Sequence, residues 1–113
     1  MLSRAKSKYV RISPYKLRPI VDVIRGSQVG KALAWLKASE TKRTKPITKV
    51  LEAAFANVRN LHVEEADMNT LYIKEVRVDQ GPVIKYFKPG AQGRANIQRK
   101  RMSHIEIILD KKK

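Results

Sequence analysis

The sequence predicts a single α+β domain, and three observations carry that reading. Apolar residues recur at helical spacing as far as Leu61, the period switches to two from Thr70, and a basic segment bearing glycine and proline separates two strand-like runs. A chain of 113 residues suffices for one core, so one domain is expected over 1–113.

Leu2 to Ile12 reads as an extended basic arm in which Tyr9, Val10 and Ile12 are the sizeable apolar groups after Leu2. Ser13-Pro14 then supplies a helix start, a hydroxyl cap followed by proline at the first helical position. Leu17, Val21 and Ile24 share one face of that helix, and Gly26 fits its stop. Pro19 falls past the first turn and removes one backbone hydrogen bond, so a kink or a late start is expected. Val29, Ala32, Leu33 and Leu36 suggest a short second helix, with Trp35 in the core or at its rim. The third helix is clearer: Pro46 opens it, Ile47, Val50, Leu51, Ala54, Val58 and Leu61 follow at three- and four-residue steps, and His62 ends it.

In the second half Leu71 and Ile73 share a strand face, while Val76 and Val78 fall in the opposite phase, which implies a bulge near Lys74 and Glu75. Ile105, Ile107 and Leu109 alternate in the last strand, with His104 on its other face. The connection between these strands lacks both a helical period and a disordered composition. It reads as an extended hairpin whose far end leaves the body.

Charge points to the partner. The formal net charge is +15, from 25 Lys and Arg against 10 Asp and Glu. Met1 to Val21 holds six basic residues (Arg4, Lys6, Lys8, Arg11, Lys16, Arg18) and no acid. Gly81 to Arg101 holds six more (Lys85, Lys88, Arg94, Arg99, Lys100, Arg101), again without an acid, and with Tyr86 and Phe87 interleaved. Cations neutralise phosphates and release counterions, glycine lets backbone approach closely, and aromatic rings among cations suit base stacking. Nucleic acid is the expected partner, with Tyr9 and Tyr15 suited equally to packing and to RNA contact.

Other chemistries find no footing. The chain has no cysteine, which excludes disulfides, thiolate metal sites and a cysteine nucleophile. Neither His62 nor His104 has a cysteine or carboxylate at zinc-ligand spacing, and Glu64, Glu65 and Asp67 read as a solvated loop rather than a cation site. No catalytic triad order, phosphate-cradling loop or dinucleotide fingerprint appears. Gly90-Ala91-Gln92-Gly93 matches the GXXG of KH domains in letters only, because Pro89 and the strand-like flanks deny it a helical context. No apolar run approaches a membrane span or a signal peptide, so a cytosolic protein is expected, with no membrane partner, cofactor or metal, and no homo-oligomer.

Several blocks together resemble the bacterial large-subunit ribosomal protein family L twenty-two: SPYKLRPIVDVIRG from Ser13, VLEAAFANVRN from Val50, then VDQGP, GRAN and RMSHI. The resemblance covers Tyr9 to Leu109, and the order and spacing of the blocks are more specific than any one of them. It implies three helices packed on a small antiparallel sheet with one long hairpin, whose arms would be Val76 to Ile84 and Arg94 to Ile108 within 76–108. It implies a structural, non-enzymatic role in the cytoplasmic large subunit, binding large-subunit rRNA and supporting its assembly. Arg4, Lys6, Lys8, Arg11, Lys16, Arg18, Lys88, Arg94, Arg99, Lys100, Arg101 and His104 would be the rRNA contacts. The hairpin tip would line the nascent-peptide exit tunnel with Ile84, Lys85, Tyr86, Phe87, Lys88, Pro89, Gly90, Ala91, Gln92 and Gly93. Protein L four, the nascent polypeptide and bound macrolide antibiotics would be its neighbours. Where the family usually carries a Met-Lys-Arg triplet at the tip, this chain has Ile84-Lys85-Tyr86.

Two readings of other classes stand beside this one. A DNA-architectural protein would bind duplex DNA as a dimer and use Pro89 as a wedge. An enzyme would show turnover that is lost on mutating His62 or His104.

Overall fold

The computed structural model describes residues 3–39, 42–65, 67–89, 93 and 95–111, and for 65, 86–89 and 95–98 the backbone alone. In chain order these form β1 (Ser3–Val10), α1 (Pro14–Ile24), α2 (Val29–Ala38), α3 (Thr44–Leu61), a 3₁₀ turn (Val63–Glu65), β2 (Leu71–Pro89) and β3 (Ala95–Lys111). The sheet is antiparallel in the order β1-β3-β2, so the last strand is the central one.

The residues expected to open α1 do so. Ser13 caps it, its Oγ accepting from the Tyr15 N–H at 3.3 Å, and Pro14 follows at the first position. Pro19 neither delays nor ends the helix, which begins at Pro14 and runs through to Ile24. Proline fits here by giving up one bond, to the carbonyl four residues back, on an exposed face. Gly26 takes φ +80 just past the helix end, and its N–H donates to the Ile73 carbonyl at 3.0 Å, while the Ile73 N–H donates to Ser27 O at 2.9 Å. The α1–α2 connection is thereby tied to β2. In α3, Pro46 sits in the first turn rather than opening the helix, where its missing N–H has no intrahelical partner to lose.

The helices cover one face of the sheet. Leu17, Val21 and Ile24 of α1, Val29, Ala32, Leu33 and Leu36 of α2, and Ile47, Val50, Leu51, Ala54, Phe55 and Val58 of α3 are buried against Leu71, Ile73, Val76, Val78, Ile105, Ile107 and Leu109. Leu61, expected on the apolar face, is 71% exposed, because the buried stripe of α3 ends at Val58. Trp35 stands at the rim, 39% exposed.

The expected arm is a strand. β1 pairs with β3 from Ser3↔Leu109 to Val10↔Ser103, turning the small residues Ser3, Ala5 and Ser7 inward and Arg4, Lys6 and Lys8 outward. Small residues let α3 come close: Ser3 Oγ donates to Ala54 O at 2.8 Å, and Asn57 Nδ2 to Arg4 O at 3.0 Å.

The anticipated bulge at Lys74 is present, with Ile73 opposite Leu109 but Glu75 opposite Ile108. The one-residue slip restores Val76 and Val78 to the inner face. A second bulge places Gly81 and Pro82 opposite Met102, between the pairs Gln80↔Ser103 and Val83↔Arg101. Proline is tolerated there because a bulge frees its position from the ladder. Beyond Val10 only β2 and β3 continue, as a two-stranded ribbon paired out to Pro89↔Ala95. The ribbon draws the molecule out to 64 × 25 × 18 Å.

The arms are longer than the sequence implied and the tip correspondingly shorter. Lys85, Tyr86, Phe87, Lys88 and Pro89, expected in the tip, are ladder residues opposite Arg99, Gln98, Ile97, Asn96 and Ala95. Aromatic and β-branched residues favour the strand, and from Val83 no turn residue intervenes before Pro89.

Candidate nucleic-acid interface

The basic residues fall on two separate surfaces. On the outer face of the sheet stand Arg4, Lys6 and Lys8, opposite Ile108 and Glu106 of β3 and the bulge facing His104. Acids temper this face. Arg4 lies 3.9 Å from Glu106, Arg77 is paired to Glu75 at 2.8 Å, and Lys74 lies 3.7 Å from Asp110. The Lys111 N–H, donating to Asp110 Oδ1 at 2.8 Å, is the main cause that holds the Asp110 carboxyl below the usual carboxylate range, with the Lys74 ammonium a minor one. Such exposed pairs stabilise little.

The second surface is an open concavity of about 880 Å³ where the ribbon leaves the body. It is lined by seven cations, Arg11, Lys16, Lys42, Arg43, Arg99, Lys100 and Arg101, together with Ile12, Ser13, Ile84 and Met102, and by no acid among the described residues. Local structure explains the convergence. Arg11 leads into the Ser13 cap of α1, Lys16 lies in the first turn, Lys42 and Arg43 precede α3, and the Arg99–Arg101 run enters the sheet on β3. Ser103, fully buried, donates its Oγ to Ile12 O at 2.6 Å and so ties the β1–α1 connection to the root of the ribbon. Seven cations gathered in one hollow form a surface that a polyanion would neutralise.

Of the residues expected to contact RNA, Arg11, Lys16, Arg99, Lys100 and Arg101 thus meet in one place. Arg18 stands beside the concavity and does not line it, its Nη2 donating to the Val78 carbonyl at 3.3 Å and its guanidinium 5.6 Å from the Tyr15 ring centroid. His104 is engaged within the fold: its Nδ1 accepts the Tyr9 N–H at 3.1 Å, and the two rings meet edge to face. Lys88 is placed by its backbone in the ladder opposite Asn96. Of the expected tip, Ile84 is 46% exposed and lines the concavity, Lys85 is exposed on the ribbon, and Gly93 has φ +78. Arg94, Gly90, Ala91 and Gln92 lie outside the described residues.

Lys42 and Arg43 were missed by the sequence reading, although the run Lys42-Arg43-Thr44-Lys45 carried the signal. The acidic loop reads differently from a metal site: Asp67 organises a turn, its side chain accepting from the Asn69 N–H at 2.9 Å and its carbonyl from the Leu71 N–H at 3.1 Å. No group of metal-ligating side chains occurs among the described residues, and no described helix is long and apolar enough to cross a membrane.

A small α+β body bearing a cationic hollow and a basic ribbon has the build of a structural polyanion-binding protein. Comparison with known proteins makes this specific. The model of the family described as ribosomal protein L22p/L17e matches residues 5–110, and the chain belongs to that family. Proteins called large ribosomal subunit protein uL22 are 48% identical over 111 residues in Desulfitobacterium hafniense strain Y51, covering 98% of this chain and 96% of the relative. The protein of that name in Halothermothrix orenii is 43% identical over 113 residues, with 100% and 98% covered, and that in Syntrophus aciditrophicus is 47% identical over 113 residues, with 99% and 100% covered. As a member of a ribosomal protein family the chain is a structural protein and not an enzyme.

Proposed function

We propose that this protein is a constituent of the large ribosomal subunit, in the cytoplasm, which binds large-subunit rRNA through the concavity at the root of its ribbon and supports assembly of that RNA. The observation that carries the reading is the gathering of seven cations, with no acid among the described residues, from three separate chain segments into one hollow. Phosphate contacts there supply affinity, and the shape of the ribbon among RNA helices supplies register. Arg4, Lys6, Lys8 and Arg18 add contacts around it, and Lys88 and Arg94 add contacts along the ribbon. His104 acts chiefly by shaping the ribbon's root.

In this reading the end of the ribbon, 84–93, lines the nascent-peptide exit tunnel. Its neighbours there are protein L four, the nascent polypeptide and the site at which macrolide antibiotics bind. The support is geometric: a paired ribbon runs on past the last residue of β1 out to Pro89↔Ala95, and such an element can thread between RNA helices.

The test is sedimentation of a tagged copy from cell lysate in high salt. Persistence with the large subunit is expected. Release to the light fractions, or recovery on DNA, would overturn the reading.

A further inference from the structure

The cations of the concavity leave one prominent side chain without a role. Tyr15, at the second position of α1, is 62% exposed and takes no part in the core. Its contribution to the fold is made by its backbone, whose N–H donates to the Ser13 cap. The ring lies instead among planar cations, with the guanidinium carbons of Arg18 and Arg101 at 5.6 and 5.7 Å from its centroid. Arg18 is held from behind by the Val78 carbonyl, and Arg101 also lines the concavity. Tyr9, just as exposed, differs in kind, because its ring packs against His104 and its N–H is taken.

An exposed ring, fixed by a capped helix start and attended by two guanidinium planes, has the components against which unstacked bases lie. The adjoining hollow supplies cations for phosphates and, in Ile12, Ile84 and Met102, an apolar wall. We propose that Tyr15, with the guanidinium planes of Arg18 and Arg101, is a stacking site for an unpaired nucleobase of RNA, whose flanking phosphates are held in the neighbouring concavity. This rests on the RNA-binding reading above and narrows it: the ligand is a bulge, loop or single-stranded turn with a base to spare, and not uniform duplex.

Two blunt-ended, loop-free RNA duplexes that differ only in a single bulged 2-aminopurine nucleotide test this with the full chain. The bulged duplex should bind roughly 5- to 150-fold more tightly, the range that stacking of one base supplies, and its 2-aminopurine emission should change on binding. Tyr15→Ala should erase the preference and the emission change while keeping the affinity for the perfect duplex and its salt dependence, and Tyr15→Phe should retain all of them. Stacking on a neutral ring releases no counterion, which separates its loss from that of a phosphate contact. Equal binding of both duplexes by the wild type, or a preference that survives Tyr15→Ala, would overturn the stacking site while leaving RNA binding intact. Binding of neither duplex would overturn the reading on which it rests.

Discussion

His104 accepts the backbone N–H of Tyr9 on Nδ1 at 3.1 Å, and the two rings meet edge to face with centroids 5.1 Å apart. Tyr9 needs such a partner. Its φ of +60 is a left-handed conformation that bulky residues rarely adopt, and the β1–β3 register slips around it, between Ser7 and Val10. The same imidazole flanks the bulge on β2, since a Cβ added at Gly81 would lie 3.3 Å from His104 Cε1. One side chain on the central strand therefore touches both irregularities that mark where three strands become two.

His104→Ala should lower the stability of the free protein by about 1–3 kcal/mol, through the lost hydrogen bond from the Tyr9 N–H and the lost ring contact. His104→Asn, whose Oδ1 can accept in place of Nδ1, should recover part of it. Urea unfolding in high salt, where the net charge is screened, measures both. Equal losses in the two variants would show that the acceptor contributes nothing.

At Gly81 the constraint is backbone. An added Cβ would stand 3.2 Å from both the carbonyl carbon and the oxygen of Met102, which cannot swing aside as a side chain would. Gly81→Ala should cost about 1–3 kcal/mol and lower the thermal midpoint. An unchanged midpoint would mean that the root of the ribbon is loosely packed.

Leu51, fully buried in α3, tests the body separately from the interface. Leu51→Ala should cost about 2–5 kcal/mol by denaturant unfolding while leaving the salt dependence of RNA binding unaltered.

The ribbon beyond Ile84↔Lys100 should be dispensable for folding. Replacing 85–99 by Asn-Gly joins residues already opposite each other through a two-residue hairpin turn. The unfolding free energy should stay within about 1 kcal/mol of the wild type, because the core cluster of the described residues ends at Val78 on β2 and at Ile105 on β3. A molten body, seen as lost near-ultraviolet dichroism, would contradict this.

How far the sequence could be read depended on the range of the signal. The Ser13-Pro14 start, the Gly26 stop and the phase slip at Lys74 are local signals, and the fold keeps them all. The role of residues 3–10 was not legible, because alternating Ser, Ala and Lys shows no apolar face; the strand exists because small inward residues fit beneath α3. The first arm of the ribbon was placed too short, since the tip implied by the family resemblance begins at Lys85, where pairing continues to Pro89. Arg11, Lys16 and Arg99–Arg101 could be named as cations from composition. That Lys42 and Arg43 join them depends on how α2 packs and where it delivers the chain to α3, which no local pattern records.

The most direct measurement is the salt dependence of affinity for a large-subunit rRNA fragment, for the wild type and for the triple variant Lys42→Ala/Arg43→Ala/Arg99→Ala. If the concavity holds phosphates, the slope of log K against log salt should be steep for the wild type and shallower by about 2–3 in the variant, close to one per cation removed. An identical slope, with three cations gone, would show that the RNA is held elsewhere and would contradict the account.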